Sequence, residues 1–152
     1  MTQEKTIAVI GSGTMGNGIA HVAALSGYKV FLVDIDNGLL DKAINVIAKN
    51  LQKQLEKKVI SDIEKNNALN FITTTVDMSD IKDVDLVVEA APENIDIKSK
   101  IFSNLDAICK EAAILASNTS SISITKLASK TNRPDKVIGM HFMNPVPIMK
   151  LV

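Results

Sequence analysis

The amino-acid sequence predicts an α/β protein with a doubly wound, mostly parallel sheet of the Rossmann type and a helical hairpin inserted after the second strand. Three observations predict this fold. Short apolar runs alternate with helical stretches, a glycine-rich turn joins the first run to the first helix, and the second run ends in an acidic residue. Continuous apolar runs are typical of parallel strands that helices cover on both faces. The expected strand order is 3-2-1-4-5-6.

Six apolar runs are predicted to be strands. Most carry apolar residues at consecutive positions, as in Leu86-Val87-Val88, so neither face of the strand is polar. The predicted strands cover residues 5–10, 28–33, 70–75, 84–89, 112–117 and 136–141. The last four residues, 149–152, are predicted to begin a further strand. No cap, turn or polar tail follows that run, which indicates a cut within a longer protein.

A glycine-rich turn follows the first predicted strand directly. Gly11 permits a tight turn, Gly13 lets the backbone approach a pyrophosphate, and Gly16 allows the helix to pack closely on the strand. The N–H groups and the positive dipole end of the following helix would face the phosphates. The candidate cofactor-binding residues of this turn are Gly11, Ser12, Gly13, Thr14, Met15 and Gly16.

Asp34 ends the second apolar run, eighteen residues after Gly16. The dinucleotide-binding fold places its ribose-binding acid near this position. An acid there accepts hydrogen bonds from the adenosine ribose and repels a 2′-phosphate, so the expected cofactor is NAD rather than NADP. The alternative is an ordinary βαβ unit in which Asp34 caps the next helix.

Length and composition limit the class of protein. The 152 residues are predicted to form one domain, 1–152, with zero formal net charge and no basic patch that would indicate a nucleic-acid partner. The single cysteine, Cys109, excludes an internal disulfide framework, fits a reducing compartment and is expected to be a buried helix residue. Neither a targeting peptide nor a membrane-spanning run is evident, so a cytoplasmic domain is expected.

A long helical insertion separates the second and third strands. Its apolar residues recur at steps of three and four, and Ser61 with Glu64 forms the pattern of a capping box that opens a second helix. The hairpin is either a solvated excursion or a wall for a large phosphorylated substrate that uses its lysines. The predicted apolar stripe comprises Leu40, Ile44, Ile47, Leu51, Leu55 and Val59.

Polar residues follow the last three predicted strands, at the edge where this fold binds ligands. Glu93 follows the fourth strand, and its alternative role is to complement the dipole of the next helix. Residues 117–121, Ser-Asn-Thr-Ser-Ser, follow the fifth. They form an ordinary turn and helix cap, or they present a hydroxyl to a substrate oxygen.

His141 follows the sixth predicted strand and is one of two histidines in the chain. Imidazole exchanges protons near neutral pH, so a histidine at this edge is a candidate general base. A purely structural histidine remains the alternative. The other histidine, His21, lies within the first predicted helix, where a packing role is expected.

Four segments together resemble the N-terminal domain of the 3-hydroxyacyl-CoA dehydrogenase family, in particular its bacterial 3-hydroxybutyryl-CoA members. They are the turn at 11–16, Val-Glu-Ala-Ala-Pro-Glu at 88–93, Ala-Ser-Asn-Thr-Ser-Ser at 116–121, and Gly-Met-His-Phe-Met-Asn-Pro-Val-Pro-Ile-Met-Lys-Leu-Val at 139–152. The last two are far more specific than the glycine-rich turn. The resemblance spans essentially the whole chain.

The resemblance implies roles in catalysis and cofactor binding. His141 would take the proton from the substrate's 3-hydroxyl while hydride leaves C3 for the nicotinamide, and Ser120 would hydrogen-bond the same oxygen. Ser120 would also contact the cofactor. Glu93, Lys98 and Asn144 would contact the nicotinamide half of NAD. No metal is implied.

The resemblance also implies contacts with a CoA substrate. Lys57 occupies a position that contacts CoA in the family, and Ser120 would lie against the same substrate. Asn50 stands where some relatives have a serine. The whole enzyme is expected to be a homodimer that interconverts a short-chain 3-hydroxyacyl-CoA and its 3-ketoacyl-CoA with NAD.

In the family, the final segment continues into a glutamate that hydrogen-bonds the histidine and then into a C-terminal helical domain that forms the dimer interface. The 152-residue chain alone is therefore expected to bind NAD but to be essentially inactive. Two alternatives stay open, a dehydrogenase of a free 3-hydroxyacid and a non-catalytic NAD-binding module. The lysine-bearing hairpin and the pair of Ser120 and His141 argue against the free acid.

Overall fold

Six parallel strands form one sheet in a computed structural model that describes residues 5–152. Their order across the sheet is β3-β2-β1-β4-β5-β6, which confirms the predicted order. All five pairings are parallel, so the carboxyl ends of the strands meet at one edge. The strands are β1 (Thr6–Ile10), β2 (Lys29–Val33), β3 (Ile72–Thr75), β4 (Leu86–Glu89), β5 (Ile114–Ser117) and β6 (Val137–Gly139).

Helices cover both faces of the sheet. Helix α1 follows β1, helices α2 and α3 form the insertion between β2 and β3, and α4 and α5 follow β4 and β5. None of the helices within residues 5–152 is both long and apolar enough to span a membrane. The helices are α1 (Thr14–Leu25), α2 (Asn37–Glu56), α3 (Asp62–Asn70), α4 (Ile95–Ile108) and α5 (Ile124–Ala128).

The core consists of two apolar clusters, one on each face of the sheet. Val9 packs with residues of α1, α2 and α3, whereas its neighbours Ala8 and Ile10 pack with residues of α4 and α5. Successive side chains of a strand point to opposite faces, so burial on both faces requires apolar residues at every position. This arrangement explains why most of the strands are continuous apolar runs.

Helix α2 ends earlier than the apolar stripe predicts. Lys58 adopts a positive φ of 56°, Val59 N–H bonds the Gln54 carbonyl at 2.9 Å, and Lys58 N–H bonds the Leu55 carbonyl at 2.8 Å. These two bonds form a Schellman motif, which closes a helix. Val59 therefore lies outside the helix and is 67% exposed, so its inclusion in the stripe is wrong. Glycine usually occupies the position of Lys58, and its absence left no signal for the helix end.

Helix α3 begins as predicted. The Ser61 hydroxyl accepts the Glu64 N–H at 3.2 Å, and the Glu64 carboxylate accepts the Ser61 N–H at 2.8 Å. Each side chain thus pairs a backbone donor that the first turn of a helix leaves free. The capping box is confirmed, and it separates the hairpin into two helices.

Cys109 lies at the carboxyl end of α4, as the sequence indicated. Its side chain is buried, and burial raises the pKa of the thiol. A thiol in that state is a poor nucleophile, because the thiolate is the reactive form. Cys109 therefore belongs to the core.

The final residues do not form the predicted strand. The Pro145 carbonyl accepts the N–H groups of Ile148 and Met149, both at 3.0 Å, and no strand includes residues 149–152. Donors that are paired within a turn are not available for a ladder with another strand. Val146 precedes this segment and is buried against α1 at Gly18, whereas Ile148 is 73% exposed.

Candidate functional site

A cavity of about 860 Å³ opens at the carboxyl edge of the sheet, where β1, β2 and β4 end. In doubly wound folds, ligands bind outside the carboxyl ends of the strands, where the strand order reverses between β1 and β4. The cavity brings together the predicted turn and the predicted ribose-binding acid. Its lining includes Gly13, Met15, Asp34, Leu39, Val46 and Ala91.

The three glycines of the turn have distinct surroundings. Gly11 has a φ of 93°, and a Cβ there would lie 2.7 Å from the Ala90 carbonyl oxygen. A Cβ on Gly16 would lie 1.7 Å from the Gly11 carbonyl oxygen, so the helix approaches the strand too closely for any side chain. A Cβ on Gly13 would meet nothing within 4 Å. The space above Gly13 fits the predicted approach of a pyrophosphate.

The first turn of α1 is open to an anion. Gly13 precedes the helix, and no side chain caps its N-terminus. The first N–H groups of a helix have no partner within the helix, and the dipole makes that end positive. No acidic residue lies in the first turn. This donor set fits the diphosphate of a dinucleotide.

Asp34 is held at the cavity by backbone and side-chain donors. Its Oδ2 accepts the Ser12 N–H at 2.7 Å and the Ser12 hydroxyl at 2.6 Å, and its Oδ1 accepts the Ile35 N–H at 2.7 Å. Helix α2 is capped instead by Asp36, which accepts the Leu39 N–H at 3.1 Å. The alternative role of Asp34 as a helix cap is therefore wrong.

Glu93 reaches across to the loop that follows β5. Its carboxylate accepts a hydrogen bond from the Thr119 hydroxyl and a longer one, 3.4 Å, from Ser121. Asn94 caps α4 by accepting the N–H groups of Asp96 and Ile97. The alternative in which Glu93 serves the first turn of α4 is not supported by this geometry, since Glu93 lies before the cap.

Lys98 occupies a different environment from the one that its predicted ligand contact requires. Its side chain is 1% exposed, and its ammonium donates to Glu89 Oε1 at 2.6 Å and to the Ala91 carbonyl at 3.0 Å. The Glu93 carboxylate lies 4.0 Å away. Contact between Lys98 and the nicotinamide half of NAD stays a prediction. In the structure its partners are groups of the protein.

Ser120 and His141 lie on neighbouring loops at the same edge. The Asn118 side chain accepts the Phe142 N–H at 2.9 Å, and the Ser117 carbonyl accepts the Met140 N–H at 2.8 Å. These two bonds join the loop after β5 to the loop after β6. Both candidate catalytic side chains are exposed to solvent. Within residues 5–152, no side chain hydrogen-bonds the ring of His141.

The remaining candidates lie apart from the cavity. Asn144 is exposed on the loop after β6. Asn50 lies in the last turns of α2, and Lys57 follows the helix directly. The seven residues between them amount to about two helical turns, so both lie on one side of the helix end. Gln54 lies between them and bonds His21 of α1 at 3.0 Å. The structure thus places the predicted CoA contacts beside α1 and outside the lining of the cavity.

Three buried polar residues near the site belong to segments that the sequence pointed to, but the sequence assigned none of them a role of its own. Glu89, Ser117 and Thr119 all end a strand or follow it by a few positions, and all are buried. The Glu89 carboxylate accepts hydrogen bonds from the Lys98 ammonium, the Ala91 N–H and the Ser117 hydroxyl. For Glu89 the only signal in the sequence is an acid that ends an otherwise apolar strand, and the pattern of β4 alone does not distinguish it from a solvent-facing strand end.

Comparisons with known proteins agree with the geometry. A family model described as "3-hydroxyacyl-CoA dehydrogenase, NAD binding domain" matches residues 6–152. The 3-hydroxybutyryl-CoA dehydrogenases of Bradyrhizobium diazoefficiens and Clostridioides difficile are 51% identical over 148 residues and 50% identical over 146 residues. These alignments cover 97% and 96% of this chain, and 50% and 52% of the relatives.

A solved structure shows the same fold. The crystal structure of (S)-3-hydroxybutyryl-CoA dehydrogenase from Ralstonia eutropha matches with a TM-score of 0.93 at 46% identity, covering 97% of this chain and 52% of that one. The chain spans about half the length of the relatives it matches. Because the family model covers nearly all of the chain, the chain belongs to the 3-hydroxyacyl-CoA dehydrogenase family as its NAD-binding domain.

Proposed function

We propose that this chain is the cofactor-binding half of an enzyme that interconverts a short-chain 3-hydroxyacyl-CoA and its 3-ketoacyl-CoA with NAD. The observation that carries the proposal is the joining of the loops that bear Ser120 and His141 at the edge of the dinucleotide cavity. The bond from Phe142 N–H to Asn118 holds these loops together. The names of the relatives, 3-hydroxybutyryl-CoA dehydrogenases, support a short acyl chain.

The geometry of the edge orients the cofactor. With the diphosphate at the N-terminus of α1 and the adenosine ribose at Asp34, beside β2, the other half of the dinucleotide extends over β4, β5 and β6. Glu93 and Asn144 lie on the loops there. When bound, NAD supplies the acceptor for the hydride from C3 of the substrate. The protein residues hold the two reactants close together and in a fixed orientation.

His141 and Ser120 handle the proton of the reacting hydroxyl. The exposed imidazole of His141 accepts the proton from the 3-hydroxyl in oxidation and returns it in reduction. The Ser120 hydroxyl donates a hydrogen bond to the same oxygen and supports the charge that develops on it. General acid–base catalysis by a positioned side chain contributes about 10²- to 10⁴-fold to the rate.

The substrate and the partner follow from the helical hairpin and from the resemblance. Lys57 is exposed and Asn50 half-buried on one side of the carboxyl end of α2, where they would contact CoA. Ser120 would reach the acyl end of the same substrate. We assign the carboxylate partner of His141 to a glutamate that follows the final segment in the whole enzyme. We assign the dimer interface to a C-terminal helical domain of that enzyme, which works as a homodimer in the cytoplasm.

A chimeric enzyme tests the proposal. Residues 1–152 would replace the matching half of the Bradyrhizobium relative, and NADH oxidation would be followed with acetoacetyl-CoA and with free acetoacetate. Turnover of the thioester but not of the free acid is the expected result. The His141→Ala chimera should lose about 10²- to 10⁴-fold in kcat while its NADH affinity stays unchanged.

Other outcomes of this experiment identify the alternatives. Equal turnover of acetoacetate would indicate a free 3-hydroxyacid dehydrogenase. NADH binding without turnover of either compound would indicate a non-catalytic module, provided that the unmodified relative is active in the same assay. A His141→Ala chimera that retains kcat would make the histidine structural.

A further inference from the structure

We propose that Glu89 is a positioning residue for the nicotinamide half of the cofactor. It does not touch the cofactor but fixes the loops after β4 and β5, residues 90–94 and 118–123, between which that half lies. The proposal rests on the placement of NAD across this edge, given above. In this role Glu89 fixes the positions of Lys98 and Glu93 relative to the cofactor.

Both oxygens of Glu89 are occupied by donors from three parts of the chain. Oε1 accepts Lys98 Nζ of α4 at 2.6 Å and the Ala91 N–H at 2.7 Å. Oε2 accepts the Ser117 hydroxyl of β5 at 2.6 Å. The side chain has no solvent exposure. One buried carboxylate therefore joins the end of β5, the first turns of α4 and the loop after β4.

The hydrogen bonds continue from Glu89 to the exposed acid Glu93. The Ser117 hydroxyl donates its hydrogen to Glu89, and its oxygen accepts the Thr119 N–H at 3.2 Å. The Thr119 hydroxyl in turn donates to Glu93 and accepts the Ile122 N–H at 2.9 Å. The orientation of Glu93 at the cofactor edge thus depends on a chain of bonds that begins at Glu89.

Lys98 joins the same chain from the other side. Its buried ammonium lies between Glu89 and Glu93, at 2.6 Å and 4.0 Å from their carboxylate oxygens. Burying an ion pair is costly and often stabilises a fold no more than two apolar residues do. A buried pair beside a ligand edge is therefore better explained by the geometry that it imposes on the loop than by stability.

The charge of this cluster favours the oxidised cofactor. Glu89 and Lys98 neutralise each other, so the carboxylate of Glu93 leaves an uncompensated negative charge at the edge. The nicotinamide ring is positively charged in NAD⁺ and neutral in NADH. A change that displaces Glu93 should therefore weaken the binding of NAD⁺ more than that of NADH.

Titration calorimetry of the chain with NAD⁺, NADH and ADP-ribose tests the proposal, because ADP-ribose lacks the nicotinamide. In the Glu89→Gln variant, an amide faces donors on both sides and cannot accept all three bonds. We expect the affinity for NAD⁺ to fall about 10- to 100-fold, that for NADH to fall less, and that for ADP-ribose to stay within about twofold.

A matched control lies at the opposite end of the same strand. Asp85 precedes β4 and pairs with Lys110 at 2.8 Å, far from the cofactor edge. The Asp85→Asn variant should leave all three affinities unchanged. If Glu89→Gln does not fold, the double variant Glu89→Met, Lys98→Met replaces the pair with apolar residues of similar volume. It should show the same selective loss.

Two results would overturn the proposal. Unchanged NAD⁺ affinity in a folded variant would make Glu89 dispensable for the cofactor, and an equal loss for ADP-ribose would make its role generally structural. The proposed reaction is judged separately, by thioester turnover in the chimera. A chimera without turnover together with a selective loss of NAD⁺ affinity would overturn the reaction and support the role of Glu89.

Discussion

Ser12 directs its backbone N–H and its hydroxyl at the same carboxylate oxygen of Asp34, at 2.7 and 2.6 Å. The glycine-rich turn and the acid at the end of β2 therefore form one unit, although 22 positions separate them in the sequence. The predicted diphosphate site and the predicted ribose site are therefore held in a fixed relation to each other. Preorganisation of this kind lowers the entropic cost of binding.

Replacing Asp34 by Ala should narrow the preference for NADH over NADPH. The change removes the acceptor for the ribose hydroxyls and the repulsion of a 2′-phosphate. We expect NADH affinity to fall about tenfold or more and NADPH affinity to rise or hold, measured by titration calorimetry. Ser12→Ala is the matched control, since it keeps the acid and removes one bond to it. That variant should lose some affinity but keep the preference. NADPH binding as tight as NADH binding in the unmodified chain would contradict the assignment.

Alanine at Gly13 and at Gly16 should separate cofactor binding from folding. A Cβ on Gly13 meets nothing in the protein but enters the space expected for the diphosphate. The free energy of unfolding of Gly13→Ala should lie within about 1 kcal/mol of that of the unmodified chain. This variant should bind NADH much more weakly. Gly16→Ala places a Cβ 1.7 Å from the Gly11 carbonyl oxygen, so it should destabilise the fold itself. Urea unfolding and NADH titration measure the two effects. Normal stability of Gly16→Ala would contradict the close packing.

The strand order and the cofactor turn could be predicted from the sequence because local patterns determine both. Strands with apolar residues at consecutive positions require burial on two faces. A glycine-rich turn that joins such a strand to a helix is the pattern of a dinucleotide-binding turn. Asp34 could be placed for the same reason, since it ends a strand at a fixed distance from Gly16. Its bonds to Ser12 could not be predicted, because they depend on the packing of β1 beside β2.

The chain of bonds from Glu89 to Glu93 has no local pattern. It joins residues of β4, β5 and α4 that become neighbours only after the sheet forms. The predicted end of α2 is wrong for another reason. Lys58 adopts a positive φ, a conformation that glycine usually adopts, so the sequence carries no glycine to mark the helix end. The chain of bonds depends on long-range contacts, and the helix end depends on an uncommon local conformation. Neither leaves a pattern of residue types in the sequence.

Arg133 should be important for stability through its planar fork of donors. Its Nε donates to Asp106 Oδ1 at 2.8 Å, and its two terminal nitrogens donate to the carbonyls of Lys110, Asp106 and Cys109. These carbonyls end α4, so the guanidinium caps that helix and complements its dipole.

Arg133→Lys keeps the charge but cannot reach all of these acceptors at once. We expect it to lower the free energy of unfolding by about 2 kcal/mol in urea titrations. Lys130→Ala removes an exposed cation nearby and serves as the control, which should change stability by less than about 0.5 kcal/mol. Equal stability of Arg133→Lys and the unmodified chain would show that a point charge is sufficient at this position.

His21 should make the stability of the chain depend on pH above the range in which the acids titrate. It is 1% exposed in α1, its Nε2 bonds Gln54 at 3.0 Å, and its Nδ1 is buried with no hydrogen-bond partner within the described residues. Burial lowers the pKa of the imidazole below its ordinary value of 6.5, although the bond to Gln54 opposes this shift. Neutral His21 is therefore the form that fits the fold.

The sign of the effect follows from proton binding. As pH falls through about 6.5, histidine in the unfolded chain takes up a proton that folded His21 does not, so unfolding becomes more favourable. Stability is therefore full above about pH 6.5 and decreases below it, with a slope of at most about 1.4 kcal/mol per pH unit from this residue. The Lys110 ammonium holds the pKa of Asp85 below its ordinary value of 3.8, so that acid loses its charge only at lower pH.

Urea unfolding at several values between about pH 7.5 and about pH 5 measures the slope. His21→Gln should flatten it, because glutamine carries no titratable group, whatever that variant does to the absolute stability. His141→Gln is the matched control, since His141 is the other histidine and its side chain is exposed. That variant should keep the slope of the unmodified chain. A slope that persists in His21→Gln, or one that disappears in His141→Gln, would assign the dependence to a different group.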